Sequence, residues 1–333
     1  MVEEIRVPAK STIAGSEITL LEQMILIRRF EEKAAELYGK EKIRGFLHLY
    51  NGEEAIAAGV LHHRKSEDRV ISTYREHGHA LASGLEPRKI MAELFGKAEG
   101  CSGGRGGSMH LFDVGKNFFG GNAIVGGHLP VAVGMALADK KLNRESITFC
   151  FFGEGAVAEG IFHESMNLAG LLKVPALFIL ENNLYAMGTH ISFTLANSDF
   201  SLKARSYGLE YFEAHGMNPE EVAERTAEAV QKIRSGKKPA LIVFNTYRFR
   251  AHSMFDAELY RTKEETEQWK LKDPLRIFAE KLKESGITDE SKIKELYLNA
   301  DRIIEDAVAY AEAGHYEATE DLTRYLTHAE IHD

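Results

Sequence analysis

The 333-residue sequence predicts an α/β protein, in which helices cover both faces of a mainly parallel sheet and extend it at either end. Three observations predict this. From residue 120 onward, amphipathic and apolar segments alternate as helix, strand, helix, strand, helix, strand, helix, strand. The apolar runs at 147–152, 176–180 and 240–245 are short and nearly uninterrupted, as strands buried on both faces must be. Outside this alternation, the stretches 19–38 and 273–331 carry helical spacing and no strand-like run.

Taken in order, residues 1–17 show no clear period and are expected to form an arm or to remain mobile. Met24, Ile27, Phe30, Ala34 and Tyr38 mark one face of a helix, with Thr19 as its expected cap and Glu22 three residues on. Short helices follow at 53–63 and 87–95, the second opened by Pro87. Between them Val70-Ile71-Ser72-Thr73 reads as a strand delivering Tyr74, Arg75, His77 and His79 to a loop, where a guanidinium and polar rings suit an anion. The glycines at 103, 104, 106 and 107 let backbone approach a ligand or partner closely. A close-packed helix of Val, Ala, Gly, Met and Leu fills the second half of 120–140 and suits a core or an interface. After the strand at 147–152 comes a helix with Ile161, Met166 and Leu168 or Ala169 inward, then the strand at 176–180. The chain continues with a helix at 202–206, a short strand at 209–213, a charged helix at 219–235 and the strand at 240–245. Pro274 opens the first of the last helices, Gly286 interrupts it, and a longer one runs over 291–313. With no internal repeat, linker or low-complexity tail, 1–333 is read as one domain, with an N-terminal arm and helix (1–50) and a C-terminal helical region (273–333).

Composition narrows the function classes. A 44% hydrophobic share is ordinary for a globular protein, and a net charge of −9 argues against a general nucleic-acid or anionic-membrane binder. No apolar run reaches the length of a membrane span, and the first residues carry no apolar signal segment. Cys150 lies in an apolar strand and Cys101 beside glycines, without metal-ligand spacing, so a reducing cytoplasm is the expected setting. Neither GxGxxG at a first strand–helix turn nor GxxxxGK[ST] occurs.

The stretch that organises the rest is FCFFGEGAVAEGIFHESMNLAGLLKVPALFILENNLYAMGT, residues 149–189. It places Glu154, between Gly153 and Gly155, at the end of one strand and Asn183 at the end of the next. If those strands are parallel neighbours, both side chains lie where open α/β sheets place ligands. A carboxylate plus an amide oxygen suits Mg²⁺ with phosphate completing the shell. The competing reading is a capped strand end and an Asn-rich turn.

This segment resembles the thiamine-diphosphate motif of α subunits of 2-oxo acid dehydrogenase E1 components, and the likeness continues through FLHLYNGEEA, STYREHGHAL, GRGGSMHLFD and AHSMFD over about residues 20–320. The resemblance implies a thiamine-diphosphate-binding fold and a Mg²⁺ held by Glu154, Asn183 and the Tyr185 carbonyl. It implies Tyr74, Arg75, Arg248 and His252 at the diphosphate, with His252 also beside the reacting centre. His79 is implied in the substrate-side pocket, and Ser108, Met109 and His110 near the entrance. The backbone at Ala123, Ile124 and Val125 would receive the aminopyrimidine ring. The family has Asp where this chain has Glu154, so a rotamer or the turn at 153–155 must absorb an extra methylene. It also usually has Gly at 123, which Ala replaces without strain where φ is negative. The resemblance further implies an α₂β₂ heterotetramer, whose β subunit supplies the glutamate that activates the ring, and a lipoylated E2 acyltransferase as acceptor. AHSMFD favours pyruvate as substrate over acetoin, and both over branched-chain 2-oxo acids. Glycine-rich loops alone would also permit a non-catalytic α/β scaffold.

Overall fold

In the computed structural model, which describes residues 13–236 and 238–324, the chain opens with α1 (Ile13–Gly39) and α2 (Glu54–Leu61). β1 (Arg69–Thr73), α3 (His77–Ala82), α4 (Pro87–Leu94) and β2 (Phe118–Asn122) follow. The alternating part comprises α5 (Leu129–Lys141), β3 (Thr148–Gly153), α6 (Gly160–Leu172), β4 (Ala176–Asn182), the small hairpin β5 (Tyr185–Ala186) and β6 (Thr189–His190), α7 (Phe200–Ser206), β7 (Glu210–His215), α8 (Pro219–Gly236) and β8 (Ala240–Asn245). α9 (Lys263–Lys270), α10 (Pro274–Glu284) and α11 (Glu290–Ala313) complete it.

The strands form one six-stranded sheet in the order β2-β1-β3-β4-β8-β7, and every pairing in it is parallel. Side chains along each central strand alternate between two buried faces. Phe149, Phe151, Leu177, Ile179, Ile242 and Phe244 join residues of α1–α4, α8 and α11. Cys150, Phe152, Phe178, Leu180, Leu241 and Val243 join α5, α6 and α7. This is why the strand sequences read as continuous apolar runs rather than alternating ones. The chain order reverses between β1 and β3, which creates a crevice at their carboxyl ends.

Several expectations are corrected here. Thr19 does not cap α1: the helix already contains residue 13, and the Thr19 hydroxyl donates to the Gly15 carbonyl at 2.7 Å inside it. An arm over residues 1–17 therefore cannot extend past residue 12, and residues 1–12 lie outside the described residues, as do residues 325–333 of the expected C-terminal helical region. His77 and His79 lie not on a loop but on α3, fully buried. The inward face of α6 is Phe162, Ser165, Met166 and Ala169, while Leu168 is exposed. Cys101 is half-buried, and burial pushes its thiol up to about 12. Among the described residues, no helix is long and apolar enough to cross a membrane.

A third cluster joins the two ends of the chain, packing Leu21, Met24 and Ile25 of α1 against α2, α10 and α11. Arg28 holds this junction. Its guanidinium donates to Glu54 Oε2 at 3.1 Å and to both oxygens of Asp273, at 2.9 and 3.1 Å. Asp273 in turn caps α10 through the Leu275 N–H, and Glu54 is fully buried. Removing the cation leaves that carboxylate uncompensated in the interior. Arg28→Met should therefore lower the unfolding free energy by about 3–5 kcal/mol in denaturant titration, and adding Glu54→Gln should recover much of the loss. A loss under about 1 kcal/mol, or none recovered by the second change, would contradict this account of the junction.

Candidate active site

Five strands end on one cleft of about 410 Å³. β1 delivers Tyr74 and Arg75, the turn after β2 delivers Ala123 and Val125, and β3 delivers Gly153, Glu154 and Gly155. Asn183 and Tyr185 come from the end of β4, Arg248 and His252 from the segment after β8. Register makes them neighbours, since Gly153 pairs with Glu181 and Asn182 with Asn245. Gly155 is required by close approach, because a Cβ there would lie 2.8 Å from that of Ala186. Ala123 is not among the described non-glycine residues with positive φ, so its side chain causes no backbone strain.

One wall of the cleft is cationic. Arg75 is buried and donates to the carbonyls of Leu49 at 2.6 Å and His252 at 2.7 Å; its pKa is lowered by burial and by the like charge of Arg248. Arg248, 2% exposed, donates to the carbonyls of Arg250 (3.1 Å), Met187 (3.2 Å) and Tyr185 (3.4 Å) and to the Tyr260 hydroxyl (2.9 Å). Among the described residues, neither guanidinium has a carboxylate within hydrogen-bond range; the nearest to Arg75 is Glu53 Oε2 at 4.0 Å from Nε. Two buried cations whose hydrogen bonds go to neutral oxygens keep a net attraction for an anion. Beside them, His252 and Tyr74 pack against His48, with ring centroids 5.1 and 4.7 Å from it. Burial, then the two arginines, lowers His252 to about 3, and its Nδ1 has no partner. It is therefore a neutral imidazole unless an anion arrives.

The facing wall is oxygen-rich. Glu154 Oε2 accepts the Asn183 backbone N–H at 3.1 Å, and Asn183 Oδ1 accepts that of Tyr185 at 3.2 Å. Leu184 between them has φ +76°, a left-handed conformation costly for a branched side chain, which folds Asn183 and Tyr185 back toward Glu154. Among the described residues, no three His, Cys, Asp or Glu side chains converge as a metal site. A site of one carboxylate, one amide oxygen and one carbonyl needs no such cluster, and hard oxygens are what Mg²⁺ takes. Buried cations on one wall and oxygens on the other fit a diphosphate bridged to a divalent cation.

His79 stands apart from the cleft, its ring against that of Phe151 at 4.1 Å between centroids and tilted by 34°. Its Nε2–H donates to Glu181 Oε1 at 2.9 Å, and its Nδ1 lies 2.8 Å from the Ser72 hydroxyl. Glu181 does reach the cleft and also accepts from the Tyr50 hydroxyl, so His79 braces the wall from behind. Met109 lines the cleft, while His110 Nδ1–H donates to the Gly121 carbonyl at 3.1 Å. The glycine-rich segment leading to them is folded around one carboxylate: buried Glu93 accepts four backbone N–H groups, from Ser102, Gly104, Gly106 and Gly107.

Four further cleft residues escaped the sequence reading: His48, Glu53, His128 and Glu181. The first two lie within FLHLYNGEEA, a stretch that drew notice only for its likeness. Glu53 is buried, its carboxyl pushed up to about 7 by burial and the neighbouring Glu181. His48 is lowered to about 2 by burial and Arg75, and His128 to about 4 by burial.

His128 gives a clean test of this environment, because its Nε2–H donates to the Phe151 carbonyl at 2.7 Å and its ring stays neutral. A histidine whose folded pKa is depressed contributes no proton-linked penalty above about 6.5, the unfolded value, and loses stability as pH falls below it. The buried carboxylates Glu53 and Glu76, raised by burial, act in the opposite sense, so only a variant comparison isolates the histidine. Between pH 7.5 and 5.5, His128→Gln should gain about 1.4 kcal/mol relative to the parent in denaturant unfolding. An unchanged difference would mean that His128 takes up its proton equally readily in the folded and unfolded chain.

A family model described as the dehydrogenase E1 component matches residues 22–320. The pyruvate dehydrogenase E1 component subunit alpha of Rickettsia bellii (strain RML369-C) is 40% identical over 295 residues, covering 89% of this chain and 90% of that protein. Its counterpart in Rhizobium meliloti (strain 1021) is 40% identical over 316 residues, 92% and 91% of the two chains. That of Porphyra purpurea is 38% identical over 316 residues, 93% and 92%. With the cleft at the carboxyl ends of a parallel sheet and a match spanning α1 to α11, the chain belongs to the dehydrogenase E1 component family.

Proposed function

We propose that this chain is the α subunit of a pyruvate dehydrogenase E1 component, which with a β subunit decarboxylates pyruvate oxidatively and transfers the acetyl group to a lipoyl group on an E2 acyltransferase. The observation that carries this reading is the pair of buried guanidinia, Arg75 and Arg248, in the same cleft as Glu154, Asn183 and Tyr185. When bound, thiamine diphosphate supplies a nucleophilic carbon and an electron sink for cleaving the bond beside a 2-oxo group. Arg75 and Arg248 bind its diphosphate, and Tyr74 and His252 line the same end. Glu154, Asn183 Oδ1 and the Tyr185 carbonyl offer oxygens to Mg²⁺. The backbone at Ala123 and Val125 receives the aminopyrimidine ring. His252, neutral and with Nδ1 free, can take a proton at that atom once an anion lies beside it.

The segment after β8 holds His252 in place. Asp256 Oδ2 accepts the His252 N–H and the Tyr260 hydroxyl, both at 2.8 Å. Arg261 donates to the carbonyls of Arg248 and Arg250, both at 2.7 Å. A partner subunit is supported by the cleft rim, where Ile124 and Met187 are 72% and 66% exposed. It is supported also by the outward face of α5, where Val131 is exposed and no atom lies near a Cβ built on Gly134. Large apolar side chains at the mouth of a binding cleft are costly unless another surface covers them.

The purified chain with Mg²⁺ and thiamine diphosphate should not turn over substrate. Assembled with its β subunit, it should reduce an artificial electron acceptor with pyruvate in preference to acetoin and 3-methyl-2-oxobutanoate. Turnover by the isolated chain would remove the need for a partner, and preference for either other substrate would overturn the pyruvate assignment.

A further inference from the structure

Glu53 stands immediately before α2, at a position whose side chain often caps the helix, yet it makes no capping hydrogen bond. It reaches across the cleft to the end of β4, where Asn183 Nδ2 donates to Glu53 Oε1 at 3.1 Å. Its neighbour Glu54 is tied the other way, to Arg28 and to the Gly52 N–H, which fixes the local backbone. Asn183 is thus gripped at three points: its backbone N–H by Glu154, its Oδ1 by the Tyr185 N–H, and its Nδ2 by Glu53. An ionised carboxylate only accepts hydrogen bonds, so the amide face turned to it must be the N–H₂ face. The oxygen face must then point away, with one lone pair taken by Tyr185 and one free. An amide in place of Glu53 could pair with either face of Asn183, leaving the longer 3.2 Å contact from the Tyr185 N–H to set the choice alone. The other Glu53 oxygen, Oε2, has no hydrogen-bond partner among the described residues, although Glu53 is 1% exposed and lines the cleft.

We propose that Glu53 is a positioning residue of the cation site: it locks the Asn183 amide with Oδ1 toward the divalent cation. The proposal rests on the assignment of Glu154, Asn183 and Tyr185 as cation ligands made above. Groups that hold a metal ligand in orientation commonly contribute ten- to hundredfold to metal affinity.

The test titrates Mg²⁺, and separately Mn²⁺, at saturating thiamine diphosphate into the assembled α–β complex, reading cofactor binding by calorimetry or by quenching of intrinsic fluorescence. The parent complex should show cation-dependent binding; its absence would overturn the cofactor assignment and this inference with it. Given that binding, Glu53→Gln and Glu53→Ala should each raise the half-saturating Mg²⁺ concentration about tenfold or more. Their cation-free melting temperatures should stay at the parent value. Parent-like Mg²⁺ dependence in both variants would overturn the role of Glu53 while leaving the cofactor assignment intact. Failure of both to fold or assemble would overturn it too, by making Glu53 a structural residue.

Discussion

Parallel pairing of β3, β4 and β8 is the constraint on which the site depends. Because the three strands run the same way in continuous register, from Thr148 opposite Ala176 to Asn182 opposite Asn245, their carboxyl ends emerge together. Glu154, Asn183 and Arg248 are separated in sequence by long helical crossovers, and the sheet cancels that distance. A single-residue slip in any of these pairings would exchange the two buried faces of a strand and displace its terminal side chain from the cleft. The register is fixed by apolar packing on both faces, so core and site share one determinant. Backbone strain appears where the sheet's geometry stops: Leu184 and Met187, both with positive φ, turn the chain immediately after β4.

Within the cleft the charges are arranged against their own interests. Arg75 and Arg248 are buried near each other and bound to neutral oxygens, while Glu53, Glu154 and Glu181 are buried in the same cleft. Direct ion pairing would satisfy both sets and close the site. Instead Glu53 stops 4.0 Å short of Arg75, and Glu154 accepts from backbone and not from a cation. Such separation is unfavourable in the empty chain, and a ligand carrying both an anion and a bound dication relieves both halves at once. The preorganised polar shell behind it, including His79 beneath Glu181 and Asp256 beneath His252, keeps these groups from collapsing onto each other.

The fold was largely legible because two-face burial leaves a plain mark: the runs at 147–152, 176–180 and 240–245 lie within or upon β3, β4 and β8. What escaped did so for local reasons. β2, Phe-Phe-Gly-Gly-Asn, carries glycines that read as a turn, and α9, Lys-Glu-Glu-Thr-Glu-Gln-Trp-Lys, buries only Thr266, so its apolar stripe is missing. The His-Gly-His of α3 reads as loop because Gly78 breaks a helical pattern, yet the glycine is there because a side chain would run into the Tyr50 ring. Of the site, residues in two stretches shared with the family were legible, and Glu154, Asn183, Tyr185, Arg248 and His252 all line the cleft. Glu53 and His48 were not, since a charged residue beside a helix start and a histidine in an apolar stretch have no periodicity that marks them. Only the folded chain brings Glu53 to Asn183, 130 residues away.

The central claim is that Glu154, Asn183 and the Tyr185 carbonyl form one divalent-cation site beside the diphosphate-binding arginines. Crystals of the assembled α–β complex grown with thiamine diphosphate and Mn²⁺ test it most directly, by anomalous scattering recorded across the manganese edge. The account predicts a single strong anomalous peak per α chain, within bonding distance of a Glu154 carboxylate oxygen, Asn183 Oδ1 and the Tyr185 carbonyl oxygen. A well-ordered cofactor with no such peak, or with the peak at another set of residues, would contradict it.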